Sequence, residues 1–174
     1  MNPMTQVRIE KITLNIGVGE AGDKLNKAVK LLEKITNAKP VQTITMKRIP
    51  SWGVRPKLAI GTKVTLRGKK AEDVLNRLFK ANDNKINAKK FDNNGNLSFG
   101  IKEYLDVPGV EYDSTIGVIG LEVAVTLERP GFRIKKRKLL QSKVGRKHLI
   151  SKEDAKDFIK GKFNVTIIEG EEEQ

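Results

Sequence analysis

The chain has no cysteine, one histidine and few aromatic residues, which make up 5% of its 174 residues and include a single tryptophan. Without cysteine there are no disulfides, no thiolate nucleophile and no cysteine-ligated metal. No apolar run approaches the roughly 18 residues that cross a bilayer, and the first residues, MNPMTQ, carry no apolar signal core. The expectation is a cytoplasmic protein with no membrane partner. Catalysis is poorly supplied: His148 sits in a run with no acid between Glu128 and Glu153, and no metal constellation is visible. The segment 83–87, DNKIN, lacks the glycine and terminal glutamate of a calcium loop and reads as a solvated helix exit. No cofactor and no enzymatic activity are expected.

Negative charge is the most informative scarcity. Residues 39–71 hold nine cations and no acid, and residues 129–150 hold nine more and again no acid. These 55 positions carry 18 of the 34 lysines and arginines, within a chain of net charge +13; the remainder is mildly acidic at −5. Solubility alone needs no such segregation by sign, so two purely cationic stretches point to a polyanion partner. A chain of this length buries about 70% of the surface it exposes when unfolded, and apolar residues at 38% suffice for a core.

The apolar pattern gives the fold class. Residues 7–18 are rich in β-branched side chains, with Val7 and Ile9 in one phase and Ile12, Leu14 and Ile16 in the other, which predicts a strand with a bulge near Glu10 and Lys11. Residues 23–36 place Leu25, Ala28, Val29, Leu32 and Ile35 on one face of a helix, and residues 70–81 place Ala71, Val74, Leu75, Leu78 and Phe79 on one face of a second. Strands are predicted at 41–46, 58–66, 97–103 and 119–127, and Ser151 with Asp154 caps a third helix before a last strand at 165–168. This order predicts an α+β fold, with an antiparallel or mixed sheet, helices packed on one face, and an open face flanked by basic loops. We read residues 1–174 as a single RNA-binding domain, with a basic extension at 129–150 and an acidic end at 169–174 expected to fray.

Two motifs admit rival readings. Gly17, Gly19 and Gly22 form a G-x-G-x-x-G between a strand and a helix, where a dinucleotide fingerprint belongs, but no acid follows between Glu33 and Glu72 to hold a ribose. We read the glycines as a tight strand-to-helix turn. Trp52 lies between Lys47, Arg48 and Arg55 in a loop shaped by Pro50, Gly53 and Pro56; it is either a loop anchor tucked on the core or a stacking platform for a base. Lys63, Thr65 and Arg67 alternate with Val64 and Leu66 and thus share a wet strand face, suited to phosphates. The tract Arg133, Lys135, Lys136, Arg137 and Lys138 is dense enough in charge to be expected extended in the free protein and ordered on RNA; docking on the acidic remainder is the alternative.

Several segments together resemble one family. LNIGVGEA at 14–21, IGTKVTLRG at 60–68, FDNNGNLSFG at 91–100 with Glu103, then Tyr112-Asp113 and Gly120-Leu121, are similar in order and spacing to the large-subunit ribosomal protein L-five (uL-five) family. The tail from Arg129 resembles the archaeal and eukaryotic branch. What this resemblance implies is a constituent of the large ribosomal subunit that binds 5S rRNA, and 23S-type rRNA, in the central protuberance. It also implies a loop reaching the P-site tRNA, with neighbouring proteins of the protuberance and the small-subunit head as partners. Carried onto this sequence, Asn15 and Thr65 match sheet positions that touch 5S rRNA, and Thr43, Lys47 and Arg48 lie in the family's basic T-x-x-x-K segment; with Lys63 and Arg67 from the same wet strand face as Thr65, these are the expected 5S rRNA contacts. Trp52, Arg55 and Lys57 would lie in the tRNA-facing loop, and the 133–138 cations would meet other rRNA. The chain departs from the family with Ile44 and Met46 where Lys or Arg is usual, and with Asn37-Ala38 where Gly-Gln is common.

Overall fold

A computed structural model describes residues 2–168, so the acidic end at 169–174 lies outside the described residues. The first long strand, β1 (Arg8–Gly17), turns Ile12, Leu14 and Ile16 inward to nearly complete burial and shifts register between Ile9 and Lys11, where the change of apolar phase predicts a bulge. Val18 and Gly19 then turn the chain, Gly19 at φ +78° and Gly22 at φ +127°, conformations an L side chain resists. Helix α1 (Asp23–Thr36) follows, with Asp23 in its first turn and Lys34 in its last to complement the helix dipole. Its buried face is Leu25, Ala28, Leu31, Leu32 and Ile35; Leu31 takes the inward place predicted for Val29, which is half-buried.

β2 (Val41–Ile44) and β3 (Ala59–Leu66) form a hairpin, and helix α2 (Gly68–Lys80) returns across the sheet with Ala71, Val74, Leu75, Leu78 and Phe79 inward, as its spacing requires. A three-residue strand, β4 (Lys85–Asn87), stands where a solvated helix exit is expected from sequence: Ile86 is buried. β5 (Leu97–Ile101) and β6 (Leu121–Glu128) complete the sheet, whose order β2-β3-β1-β6-β5 is antiparallel throughout. Helix α3 (Lys152–Phe163) opens with a capping box in which Ser151 and Asp154 satisfy one another's backbone N–H groups. The last strand, β7 (Thr166–Ile168), pairs in parallel with β4 as a small second sheet rather than extending the main one.

The helices share one face of the five-stranded sheet. Phe79 of α2 stacks on Phe99 of β5 at 5.5 Å between ring centroids and meets Phe163 of α3 edge-on at 5.3 Å, so the sheet, α2 and α3 join one core. The sheet's opposite face is left to solvent. This is the predicted α+β architecture, and it decides where functional side chains can stand.

Candidate nucleic-acid interface

Strand alternation puts the polar positions of β1, β3 and β6 on the open face. Asn15 stands opposite Lys63 of β3 on one side and Glu122 of β6 on the other, and Thr13 stands between Thr65 and Ala124. Asn15 donates from Nδ2 to Glu122 Oε2 at 3.3 Å, while Lys63 and Thr65 are exposed. Thr43 of the edge strand faces Gly61, and a Cβ at Gly61 would stand 2.8 Å from Thr43 Oγ1 and 3.0 Å from the Ile16 carbonyl oxygen. Glycine lets the two strands close there. Four of the residues expected to contact 5S rRNA, Asn15, Thr43, Lys63 and Thr65, thus share one surface; Arg67 extends it at the end of β3.

The hairpin continues beyond the sheet as an arm. Thr45 N donates to the Leu58 carbonyl and Lys57 N to the Thr45 carbonyl; past them Ile49 and Val54 bridge, and Pro50–Trp52 forms a 3-10 turn closed by Gly53 at φ +66°. The anchor of this arm is Val54, 3% exposed, whereas Trp52 is 75% exposed. The reading of Trp52 as a core anchor is therefore overturned. Lys47, Arg48, Arg55 and Lys57 are exposed along the same arm, as are the apolar side chains of Ile44 and Met46. These cations form a group apart from the sheet residues and stand beyond the Gly17 end of β1.

At the Arg8 end, the open face holds carboxylates that the cation pattern does not reveal. Glu10 sits in the bulge and Glu128 ends β6, their side chains 9% and 13% exposed. Arg8 donates from Nε and Nη2 to Glu128 Oε1 at 3.0 and 2.7 Å, and Arg67 Nη1 lies 3.9 Å from Glu10. Lys136 reaches both acids, its Nζ 2.6 Å from Glu10 Oε2 and 3.0 Å from Glu128 Oε2. Burial opposes ionisation of Glu128, yet hydrogen bonds from Lys136 and Arg8 outweigh it and hold the carboxyl below its ordinary value. The converse applies to Lys136, where burial disfavours the charge but the hydrogen bonds to Glu10 and Glu128 raise its pKa.

The basic tract is accordingly not the extended run expected from its charge. Phe132–Lys135 winds into a 3-10 turn, Phe132 is buried with Lys135 Nζ 4.6 Å from its ring centroid, and Lys136 is docked on the two glutamates. The docked alternative describes it better. Arg133, Lys135, Arg137 and Lys138 remain exposed. His148 is part of this scaffold: its ring meets Phe132 edge-on, and Nε2 lies 2.8 Å from the Pro130 carbonyl, an acceptor that fixes the proton on that nitrogen. Arg129 ties the stretch to α3 through Asp154 at 2.9 Å and to its own far end through the Leu149 carbonyl at 3.1 Å. The carboxyl of Asp154 is held low, first by the Ser151 backbone N–H and then against burial by the Ser151 hydroxyl and Arg129.

An enzyme reading finds little here. β1 has antiparallel neighbours on both sides, so the crevice of a doubly wound parallel sheet is absent, and Glu20 and Asp23 place negative charge at the turn where a pyrophosphate would bind. The three glycines serve the turn. Among the described residues, no group of three or more His, Asp or Glu could hold a metal ion, and no helix is long and apolar enough to cross a membrane. A hollow of about 600 Å³ lies open beside Asn15, Lys90, Gly100 and Glu122.

An α+β protein with a solvent-open antiparallel sheet and cations beyond both ends is a scaffold for binding a polyanion rather than for turning over a small substrate. Comparison with known sequences says which. The signature described as Ribosomal protein L5 matches residues 2–55, and the signature of the C-terminus of the same ribosomal family matches residues 59–158. Large ribosomal subunit protein uL5 of Sulfurisphaera tokodaii is 51% identical over 171 residues, covering 98% of this chain and 97% of that one. The uL5 protein of Nanoarchaeum equitans is 49% identical over 96% of this chain and 99% of its own, and that of Methanococcus vannielii is 46% identical over 95% and 93%. The chain belongs to the ribosomal protein L5 (uL5) family. It is thus a non-enzymatic constituent of the large subunit of the cytoplasmic ribosome, in the company of rRNA and other ribosomal proteins.

Proposed function

We propose that the protein binds 5S rRNA with the open sheet face, using Asn15, Thr43, Lys63, Thr65 and Arg67, together with Lys47 and Arg48 on the first limb of the arm. The observation that carries this reading is the strand register, which gathers Asn15, Lys63 and Thr65 onto one solvent-facing surface next to Thr43. Phosphate contacts from cations and hydroxyls on an exposed sheet fit an RNA whose loops can spread across it. The exposed cations of the 133–138 tract would meet other rRNA.

The arm serves a second RNA in this reading. Arg55, Lys57 and an exposed Trp52 project beyond the sheet and would approach the P-site tRNA, Trp52 offering a stacking face worth ~1–3 kcal/mol per base. Exposed Tyr112 and Val118, in the connection between β5 and β6 that runs beside α1, would suit neighbouring proteins of the central protuberance and the small-subunit head. A gel-shift titration tests the core of the proposal. Replacing Lys63 by Gln and Thr65 by Val together should weaken binding of in vitro transcribed 5S rRNA about tenfold or more while leaving the melting temperature nearly unchanged, since both residues are exposed. Unchanged affinity would move the 5S site off the sheet.

A further inference from the structure

The Arg8 end of the open face contains two mostly buried carboxylates in a surface otherwise suited to phosphate. Glu10 and Glu128 would repel RNA if left bare, and each instead shares the ammonium of Lys136, a residue of the cationic tract. Arg8 completes the cluster on Glu128 and Arg67 on Glu10. Counted by charge, Lys136 is already spent on these two acids. We infer that Glu10 and Glu128 are positioning residues: through Lys136 they latch the 133–138 tract to the sheet, so that Arg133, Lys135, Arg137 and Lys138 face rRNA already ordered. The inference rests on the RNA-binding reading above.

Three local observations support it. The tract is held in a defined shape by backbone hydrogen bonds from Lys136 and Arg137 to the Arg133 carbonyl and from Ser142 to the Ile134 carbonyl. Lys135 lies over the Phe132 ring, and Arg137 Nε donates to the Leu140 carbonyl at 2.7 Å, which spaces the outward charges. Five like charges in six residues repel one another, so the shape needs an opposing attraction, and Glu10 with Glu128 supplies it through Lys136. Ordering before binding spares the RNA complex part of the entropy otherwise lost when flexible basic side chains are fixed.

The test separates positioning from charge by sign. Glu10→Gln with Glu128→Gln removes two negative charges from the RNA-facing surface, so bulk electrostatics predicts tighter binding of 5S–23S-type rRNA fragments. The latch predicts the reverse: binding about three- to tenfold weaker, with the salt slope unchanged because no phosphate contact is lost. Limited trypsin digestion of the free full-length protein, mapped by mass, should show faster cleavage within 133–138; these substitutions neither create nor destroy a trypsin site. Glu122→Gln, on the same face but away from Lys136, is the charge control and should tighten binding. Lys136→Arg should behave as wild type, and Lys136→Met should weaken binding without flattening the slope. Tighter binding by the Glu10/Glu128 variant, unchanged trypsin cleavage, or a slope reduced by about 0.7–0.9 in Lys136→Met would each overturn the inference, the last because Lys136 would then contact a phosphate itself. If the wild-type protein bound no rRNA, the RNA reading would fall and the positioning role with it, while faster trypsin cleavage would still report the latch by itself.

Discussion

Trp52 shows how far single residues can be read from sequence. A large aromatic in a Pro- and Gly-bounded loop predicts an anchor as readily as a stacking platform, and only the path of the arm, which buries Val54 instead, separates the two. Trp52→Ala should therefore shift stability by less than about 0.5 kcal/mol in a denaturant titration, against the ~3–5 kcal/mol of a buried tryptophan. Arg55→Ala with Lys57→Ala should likewise leave folding and 5S rRNA binding nearly intact, because exposed charges add little stability, and should weaken P-site tRNA retention on assembled ribosomes. Loss of 5S binding with normal tRNA retention would reassign the arm. Glu128 and Glu10 are the residues that counting cations misses. Their importance depends on where Lys136 lands, and the sequence separates Glu10 from Lys136 by more than a hundred positions. Because its pKa is depressed on folding, Glu128 contributes stability above its ordinary value of 4.5 that is lost as pH falls through the lower folded value. As pH falls below 4.5 the melting temperature of wild type should fall more steeply than that of Glu128→Gln; parallel curves would mean the carboxylate is not held by its partners.

At the scale of elements, the legible parts are those governed by local rules. The phase change of β1, the inward faces of α1 and α2, and the Ser151–Asp154 cap of α3 are written in short windows of sequence, and each is present, save that Leu31 replaces Val29 on the inward face of α1. β4 is not legible, because three residues carry no periodicity and its pairing with β7 joins positions about eighty residues apart. For the same reason the last strand is visible as a strand but not as a partner of β4. Two substitutions test this level. Ser151→Ala removes one half of the capping box and should cost about 1 kcal/mol by thermal or urea unfolding. Gly61→Ala should cost more, about 1–3 kcal/mol, since its methyl would press on Thr43 Oγ1 and on the Ile16 carbonyl; it should also weaken 5S rRNA binding by displacing Thr43.

The whole molecule is organised by charge along the length of β1. Ten residues of strand span about 30 Å, with the arm and its cations beyond one end and the docked tract at the other. The bias into two acid-free stretches is plain in the sequence; that the arm of the first and the docked tract of the second lie at opposite ends of one open face is a product of strand order, which composition does not encode. An RNA engaging both would have to run along the strands and across Asn15, Lys63 and Thr65. Salt dependence of 5S rRNA binding by the full-length protein measures this charge layout most directly. Even four phosphate contacts along that path imply a slope of log K against log[salt] of about −3 to −4, and the measured slope should be at least that steep. A slope near zero would mean that the cations flanking the open face do not engage phosphates.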